Sequence, residues 1–378
     1  MKSSCLMNRL VLFISAFVVL CNGTPVCRGV LDPYPNKPKL TFRDDGTFKI
    51  TLLSDLHFGE NPWDDWGPEQ DANSTKLMRT VLPDENPDFA VINGDLITGE
   101  NTFRGNSTSL IDEIVGPLNE LKITFASSHG NHDNQVNITH LEEILREQAV
   151  APLSYTRTAP PGVGGEHGPG NYWVPVKSPL CVRSPQGQDH AKDLPGGVDQ
   201  NGDAIPDWVD ESVAKWIKIE TQRMNAAWGP SEKRGALAFV HIPPHVVQDL
   251  RGGLDSAKEP GLNADELGAG SSQASGSDSV FGNDQPFWDA LTENVPNLHA
   301  VFSGHDHGNE WCSRDNSKDV IFCFSKHTGY GGYDHGWGHG VRNIVFSSPS
   351  PTTAPETWIR MEAGDVHARI TLDENYGR

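Results

Sequence analysis

The feature that most constrains the fold is a repeated arrangement in which a short apolar run is followed at once by metal-binding or proton-transferring side chains. It occurs at five places along the chain: Asp55-Leu56-His57, Gly94-Asp95, Gly130-Asn131-His132-Asp133, His241 and Gly304-His305-Asp306-His307. Short apolar runs bounded by polar residues are typical of buried strands. Ligands of open α/β sheets bind outside the carboxyl ends of the strands, so the pattern predicts that all five places meet at one sheet edge.

The segments between these runs indicate the fold class. Strands are predicted at residues 48–54, 88–93, 123–127, 236–240 and 298–302. Helical periodicity covers residues 110–121, where Gly116 and Pro117 predict a kink or break, and Thr139 with Glu142 forms a capping box for the next helix. Strands that alternate with helices predict an α/β core. Runs at residues 320–324, 343–346 and 366–372 have no long helix between them and predict a second sheet.

The rest of the chain indicates its organisation. Residues 1–23 read as an export signal, because Lys2 and Arg9 flank an apolar run at residues 10–20; a buried N-terminal helix is the alternative. That run is shorter than the ~20 residues that span a bilayer. We expect an N-terminal extension at 24–46 and one domain at 47–378, with loop insertions near 159–205 and 252–282 that are rich in Gly, Pro, Ser and Asp. The chain is therefore expected to be secreted and to have no membrane span.

Charge and cysteine content limit the partners and the compartment. A formal net charge of −20 disfavours binding along a nucleic acid scaffold, which needs a concentrated basic surface. Removal of residues 1–23 would leave Cys27, Cys181, Cys312 and Cys323 in an oxidising compartment. Cys312 and Cys323 flank a hairpin-like stretch and are predicted to pair, so Cys27 and Cys181 either pair or stay free. Three N-x-S/T triplets, at Asn73, Asn106 and Asn137, are candidate glycosylation sites. The oligomeric state is not predicted.

The donor types at the five places favour particular metals. Imidazole and carboxylate together suit Zn, Fe or Mn, and the lack of a cysteine cluster argues against a structural thiolate zinc site. Asp55 and His57 are two residues apart at a strand end, so both can turn to the same side, as can His305 and His307. Glycines directly precede Asp95, Asn131 and His305, and they would allow the tight turns that aim these side chains.

In this order, the residues resemble the pattern of the calcineurin-like metallophosphoesterases, which is D-x-H, G-D, G-N-H-[DE], H and G-H-x-H. Every element is present between Asp55 and His307. The chain looks closest to the purple-acid-phosphatase-like branch of short enzymes. The resemblance implies a four-layer αββα sandwich of two mixed sheets flanked by helices. It also implies a dinuclear-metal phosphoesterase that hydrolyses small phosphate esters by in-line attack of a metal-bridging hydroxide.

The resemblance also implies a role for each residue. One metal would be held by Asp55, His57 and His307, the other by Asn131, His241 and His305, and Asp95 would bridge the two transition-metal ions (Fe, Zn or Mn). His132 would be a catalytic residue beside the metals, with Asp133 orienting it. His245 competes with His241 for its position, but Pro243 and Pro244 disfavour a helical face shared by the two. His129, His327, His335 and His339 stay outside this set.

Two positions depart from the purple enzymes. Those enzymes carry a metal-bound tyrosine three residues after the bridging aspartate, where this chain has Thr98, and a glycine where this chain has His57. Without the tyrosinate, neither the purple colour nor a preference for ferric iron is implied. The resemblance favours phosphate monoesters as substrates, as in acid phosphatases. The alternatives are a phosphodiesterase of nucleotides or lipid headgroups and a non-catalytic binding protein on the same fold.

Two further segments carry weaker hypotheses. Oxygen ligands spaced as in a calcium loop occur at Asp199, Asn201, Asp203, Asp207 and Asp210. The segment lacks the central glycine and final glutamate of such loops, so an acidic surface turn before a helix near residues 213–224 is favoured over a structural calcium site. The glycine-rich residues 329–340 would either border the active cleft or form a flexible loop.

Overall fold

The computed structural model describes residues 31–165, 168–177, 180–184, 208–230, 232, 234–274 and 282–378. The strands are β1 (Leu40–Thr41), β2 (Phe48–Leu53), β3 (Phe89–Asn93), β4 (Phe125–Ser128), β5 (Tyr172–Lys177), β6 (Leu180–Ser184), β7 (Gly235–Phe239), β8 (Leu298–Ser303), β9 (Cys312–Asp315), β10 (Val320–Phe324), β11 (Gly340–Phe346), β12 (Glu356–Met361) and β13 (Val366–Thr371). The helices are α1 (Trp66–Glu85), α2 (Leu110–Leu121), α3 (His140–Val150), α4 (Glu211–Trp228), α5 (Val247–Arg251) and α6 (Gln285–Asn294). No helix among these residues is long and apolar enough to cross a membrane.

The strands form two mixed sheets. The seven-stranded sheet has the order β1-β5-β6-β7-β8-β10-β9, and the six-stranded sheet has the order β13-β12-β11-β2-β3-β4. β2, β3 and β4 are parallel, whereas β11 runs antiparallel to β2. In the other sheet β7 and β8 are parallel and β9 runs antiparallel to β10. The predicted α/β class with two mixed sheets is confirmed.

The hydrophobic pattern of the strands explains the layers. Alternate residues of β2, namely Phe48, Ile50 and Leu52, point into a core between the sheets, where they join Phe239 and Phe302 of the other sheet. The outer face of the six-stranded sheet is covered by apolar residues of α1 and α2. The outer face of the seven-stranded sheet is covered by those of α4 and α6. The order of layers is therefore helix, sheet, sheet, helix.

The expected division of strands between the sheets was wrong. Residues 320–324 form β10, which pairs in parallel with β8 in the seven-stranded sheet. β11, β12 and β13 instead extend the sheet of β2, β3 and β4, because β11 pairs with β2 along its length. An apolar run predicts a strand but not its partner, since pairing depends on contacts between residues distant in sequence.

Two segments expected outside the core contribute strands. Part of the 24–46 extension forms β1, which pairs in parallel with β5. β5 and β6 lie within 159–205, where we expected a loop insertion; they pair with each other, and β6 also pairs with β7. Segment 252–282, as far as it is described, contains neither helix nor strand beyond isolated bridges. The break or kink expected near Pro117 does not end α2, which runs on to Leu121.

The remaining local predictions have mixed outcomes. The Thr139–Glu142 capping box is present at α3, and Cys312 and Cys323 form the predicted disulfide across β9 and β10. The export signal, Cys27 and four residues of the calcium-loop hypothesis (Asp199, Asn201, Asp203 and Asp207) lie outside the described residues, as does the side chain of Cys181. Asp210 is described, and its side chain caps α4 by accepting the backbone N–H of Ser212.

A buried ionic cluster joins the two sheets. Lys326, just after β10, contacts Glu310 at 2.8 Å, and both side chains are fully buried. Arg342 of β11 is also fully buried and donates to the carbonyl oxygens of Phe324 and Glu310. Burial alone would raise the pKa of Glu310, but His367 and Lys326 outweigh it and lower the pKa to about 2. The cluster thus holds a charged carboxylate beside the junction of the sheets.

We predict that Lys326→Met destabilises the protein by about 3–5 kcal/mol, because it leaves Glu310 buried without its lysine. The free energy of unfolding in urea measures the effect. Lys215→Met is the matched control, since Lys215 and Glu211 form an exposed pair on α4 whose loss changes stability little. Equal stability losses in the two variants would contradict this prediction.

Candidate metal centre

The five donor places of the sequence meet at one end of the sandwich. Asp55 and His57 follow β2, Asp95 follows β3, and Asn131 and His132 come shortly after β4. His241 follows β7, and His305 and His307 follow β8. The donors therefore come from the strand ends of two facing sheets, and not from one sheet edge as we expected. All except the partly exposed His132 and His305 are buried.

The donor atoms form two neighbouring groups, which a third group overlaps. One contains Asp55, His57 and His307, the other contains Asp95, His241 and His305, and the third contains His57, Asp95 and His132. Within each group the candidate ligand atoms lie within 4.8 Å of one another. His57 Nε2 is 3.3 Å from His307 Nε2. Asp95 Oδ2 lies 2.9 Å from His241 Nε2 and 3.7 Å from His57 Nε2. Asp95 thus contacts a histidine of each group, in the place that a bridging ligand would occupy.

Each histidine of the two groups is oriented by a hydrogen bond from one ring nitrogen, which leaves the other nitrogen for the centre. This arrangement is usual for metal-binding histidines, because the second hydrogen bond fixes the tautomer and the ring plane. The contacts are His241 Nδ1 to Asn93 O at 3.0 Å, His307 Nδ1 to Tyr333 O at 2.6 Å, His57 Nδ1 to Thr98 Oγ1 at 3.0 Å, and His305 Nε2 to Gly270 O at 2.9 Å.

The side chain of Asn131 provides a test of whether these residues fit a metal. It is fully buried, and within the described part of the chain neither its Oδ1 nor its Nδ2 has a hydrogen-bonding partner. An unsatisfied buried amide costs about 1–3 kcal/mol, so native proteins rarely retain one without a ligand. An amide oxygen beside imidazoles and carboxylates suits a transition-metal ion. The residues therefore fit the implied cofactor.

The backbone at the centre is held in an uncommon conformation. Asp55, His57, Asp95 and His305 have positive φ angles of 56°, 50°, 49° and 81°. Residues other than glycine rarely adopt this left-handed region, and they cluster at functional sites when they do. The conformation turns the chain sharply at the end of each strand and aims the side chains inward.

Glycines at the centre are needed for two reasons: a tight backbone turn at one position and a lack of room for a side chain at three. Gly94 has a positive φ of 87°, as the expected tight turn requires, and a Cβ there would lie 2.2 Å from His241 Nδ1. Gly130 and Gly304 do not have positive φ, so the turn argument does not apply to them. A Cβ on Gly130 would lie 2.2 Å from Asp95 Oδ1, and one on Gly304 would lie 2.7 Å from Asp55 Oδ2.

The electrostatics of the centre favour positive charge around Asp95. Burial alone would raise the pKa of Asp95, but His241, His132 and His57 outweigh it and lower the pKa well below its ordinary value. Burial alone would lower the pKa of His241 and of His132, but the charge of Asp95 raises them to about 10 and about 9. The pKa of His57 is lowered, mainly by burial. Metal binding needs neutral imidazoles, so metal would displace protons here.

His132 has a partner that the sequence analysis missed. Its Nδ1 lies 2.5 Å from a carboxylate oxygen of Glu100, and its backbone N–H donates to Asp95. Asp133, which we expected to orient the ring, instead accepts the backbone N–H groups of Ile97 and Gly130. Asp133 therefore stabilises the turn that carries His132, whereas Glu100 contacts the ring. Glu100 lies five residues after Asp95, outside any strand-end signal.

The other histidines have different surroundings. His245 pairs with Asp284 at 2.8 Å, whereas His241 lies among the donors. His129 is buried 3.5 Å from Glu143. His327 stacks on His307 with ring centroids 3.8 Å apart, and His335 is exposed. His339 stacks on Tyr330.

The glycine-rich residues 329–340 border the centre. A Cβ on Gly332 would lie within 3.0 Å of both His57 and His307. The backbone N–H of Gly332 also donates to Glu60 at 2.6 Å, which ties the segment to the loop after β2. The segment is therefore a wall of the centre, as one of the two sequence-based readings expected.

Comparison with known proteins agrees with this geometry. The model of the calcineurin-like phosphoesterase family matches residues 48–309, which include every proposed ligand. The chain belongs to the calcineurin-like phosphoesterase family. Relatives include a protein named probable inactive purple acid phosphatase 28 from Arabidopsis thaliana, 29% identical over 79% of this chain and 74% of that protein. Phosphatase DCR2 from Saccharomyces cerevisiae is 29% identical over 74% of this chain and 47% of its own length.

A solved structure supports the fold. A dimetal phosphatase from Danio rerio superposes with a TM-score of 0.53 at 13% sequence identity, over 87% of this chain and 100% of that one. At this identity the likeness establishes the shared fold alone. The predicted calcineurin-like phosphoesterase fold is confirmed.

We predict that Thr98→Val weakens metal binding by this calcineurin-like phosphoesterase about 10–100-fold, because His57 Nδ1 loses its hydroxyl partner. Competition titration of the purified protein against a chelator measures the affinity. Thr98→Ser keeps the hydroxyl and is the matched control, so it should bind metal nearly as tightly as the wild type. Equal affinities of the valine and serine variants would contradict the prediction.

Proposed function

We propose that the chain is an exported phosphatase that hydrolyses small phosphate monoesters with two transition-metal ions. Asp55, His57 and His307 would hold one ion, and Asn131, His241 and His305 would hold the other. Asp95 would bridge them. The observation that carries the proposal is the convergence of these donors, with the buried amide of Asn131 left for a ligand.

The metal ions and the side chains would have different roles in the reaction. Two metal ions bound by these donors would activate the attacking water and neutralise charge on the phosphoryl oxygens. His132 stands beside the groups, with its ring centroid 5.0 Å from that of His57. Its imidazolium can stabilise the phosphoryl oxygens or give a proton to the leaving alkoxide. Glu100 holds that ring and favours its protonated form, while Asp133 fixes the turn beneath it.

A non-catalytic protein on the same fold is the competing hypothesis, because some relatives are named inactive. A protein that no longer catalyses a reaction is expected to lose metal-ligand residues, because selection no longer retains them. This chain keeps all the proposed ligands, and His132 as well. That retention supports an active enzyme.

We predict that the metal-loaded protein hydrolyses nitrophenyl phosphate in preference to bis(nitrophenyl) phosphate. Chelation should abolish turnover, and elemental analysis should find two transition-metal ions per chain. Asn131→Ala should lower kcat/KM at least about 100-fold through loss of a ligand. Asn375→Ala, at an exposed position, is the control. A preference for the bis-ester would contradict the monoesterase, and full activity of Asn131→Ala would contradict the ligand set.

We also predict that Glu100→Gln moves the basic limb of the pH profile of kcat to lower pH by about one unit or more. If His132 acts as an acid, the rate falls as pH rises through the pKa of His132. The carboxylate of Glu100 raises this pKa, so its removal lowers the pH at which the proton is lost. Glu69→Gln is the control, because Glu69 is exposed on α1. An unshifted basic limb would exclude the proposed pairing of Glu100 with the catalytic acid.

Export rests on separate observations. The apolar run with its positive flank is typical of a signal, and the Cys312–Cys323 disulfide is typical of oxidising compartments. The glycosylation triplets fit the same route, and Asn106 is exposed. Expression of the full chain in a eukaryotic cell tests this proposal, since retention of all the protein in the cytosol would contradict it.

A further inference from the structure

Three neighbouring aromatic side chains of the glycine-rich wall lie beside the centre. They are Tyr333, His335 and Trp337, which we call the aromatic platform. The Trp337 ring meets those of Tyr333 and His335 edge to face, with centroids 5.9 Å and 5.1 Å apart. Tyr333 remains 42% exposed, and His335 is also exposed. The proposed reaction gives none of them a role.

The platform is directly continuous with the proposed metal site. The Tyr333 ring lies flat against the His307 ring, with centroids 4.0 Å apart and planes 9° apart. The Tyr333 carbonyl oxygen accepts a hydrogen bond from His307 Nδ1, and the Tyr333 hydroxyl accepts one from the His307 backbone N–H at 2.9 Å. Since His307 covers one face of the ring, the exposed part of Tyr333 faces away from His307. A group bound there would lie beside the proposed metal site.

The platform is held in place by surrounding contacts. The hydroxyl of Tyr333 donates to Asp265, which lies on the segment before α6. Trp337 packs against Gly308, where a Cβ would come within 2.6 Å of its ring. The carboxylate of Asp334 accepts the backbone N–H of Trp337 at 3.0 Å, and buried Lys326 donates to the Trp337 carbonyl oxygen. Aromatic surface that is ordered before binding loses little conformational entropy when a flat ligand stacks on it.

We propose that the aromatic platform binds the leaving group of the substrate and selects phosphate esters whose alcohol carries a planar aromatic ring system. This proposal rests on the proposed phosphatase function. A ring stacked on the outer face of Tyr333 would lie about 8 Å from the His307 ring, twice the 4.0 Å separation of Tyr333 from His307. That separation favours esters with a spacer between phosphate and ring, such as a nucleoside monophosphate.

A second exposed aromatic pair provides a matched control. Trp63 and Phe103 are 54% and 48% exposed, and they lie on the loops after β2 and β3. Their rings pack against each other with centroids 5.8 Å apart, rather than against a proposed ligand. Both places thus expose aromatic side chains, and of the two only the platform has a ring contact with His307 in the described structure.

The test compares adenosine 5′-monophosphate with ribose 5-phosphate, which differ only by the planar base. In the metal-loaded wild type, we expect kcat/KM to be at least about 5-fold higher for adenosine 5′-monophosphate, mainly through KM, because base stacking on aromatic rings contributes that much. Trp337→Leu should lower this ratio, Trp337→Phe should restore most of it, and Trp63→Leu should leave it unchanged. His335→Ala, at an exposed position, should lower the ratio without disturbing the fold, which thermal unfolding checks.

Binding of adenosine, which has no phosphate to hydrolyse, separates failure of this proposal from failure of the proposed function. We expect adenosine to quench tryptophan fluorescence saturably in the wild type and less in Trp337→Phe. Hydrolysis of both esters with equal kcat/KM would overturn the platform and leave the phosphatase standing. Adenosine binding that needs Trp337, without hydrolysis of either ester, would overturn the phosphatase and support the platform. A ratio lowered equally by Trp63→Leu would also overturn the platform.

Discussion

The buried carboxylate of Asp95 is the interaction on which the rest of the structure depends. It is 1% exposed and lies 2.9 Å from a nitrogen of His241 and 3.7 Å from one of His57. A buried charge is costly unless opposite charges and hydrogen bonds surround it. Its neighbours come from both sheets, since His57 follows β2 and His241 follows β7. The two sheets must therefore pack with their carboxyl strand ends aligned, and the core between them fixes that alignment.

Strain at the centre is offset by rigid surroundings. Four proposed ligands have a left-handed backbone, and each such residue costs of order 1–3 kcal/mol. The strands that precede them are fully or almost fully buried, so the turns cannot relax without disturbing the core. At Gly94, Gly130 and Gly304 there is no room for a side chain, because ligands of the two sheets approach closely at these positions. The Lys326–Glu310–Arg342 cluster links β11 of one sheet to the end of β10 in the other.

The donor positions were visible in the sequence because two local signals coincide there, an apolar run and a polar donor at its end. Strand partners were not visible, since the parallel pairing of β10 with β8 and the antiparallel pairing of β11 with β2 join distant residues. β5 was missed because Pro175 interrupts a run within a Gly- and Pro-rich stretch. Glu100 was missed because it reaches His132 only through the folding of a loop.

The two departures from the purple enzymes are in contact in the folded chain. Thr98 stands where those enzymes have a metal-bound tyrosinate, and its hydroxyl bonds to His57, which replaces a glycine. The short threonine side chain does not take the position of the tyrosinate. Its hydroxyl instead orients the imidazole of His57, which reaches the centre. The exchange replaces an anionic phenolate with a neutral ring, so Asp55 and Asp95 are the anionic donors among the proposed ligands. Less negative charge stabilises trivalent iron less, so the Thr98–His57 pair would not supply the preference for ferric iron that a tyrosinate gives.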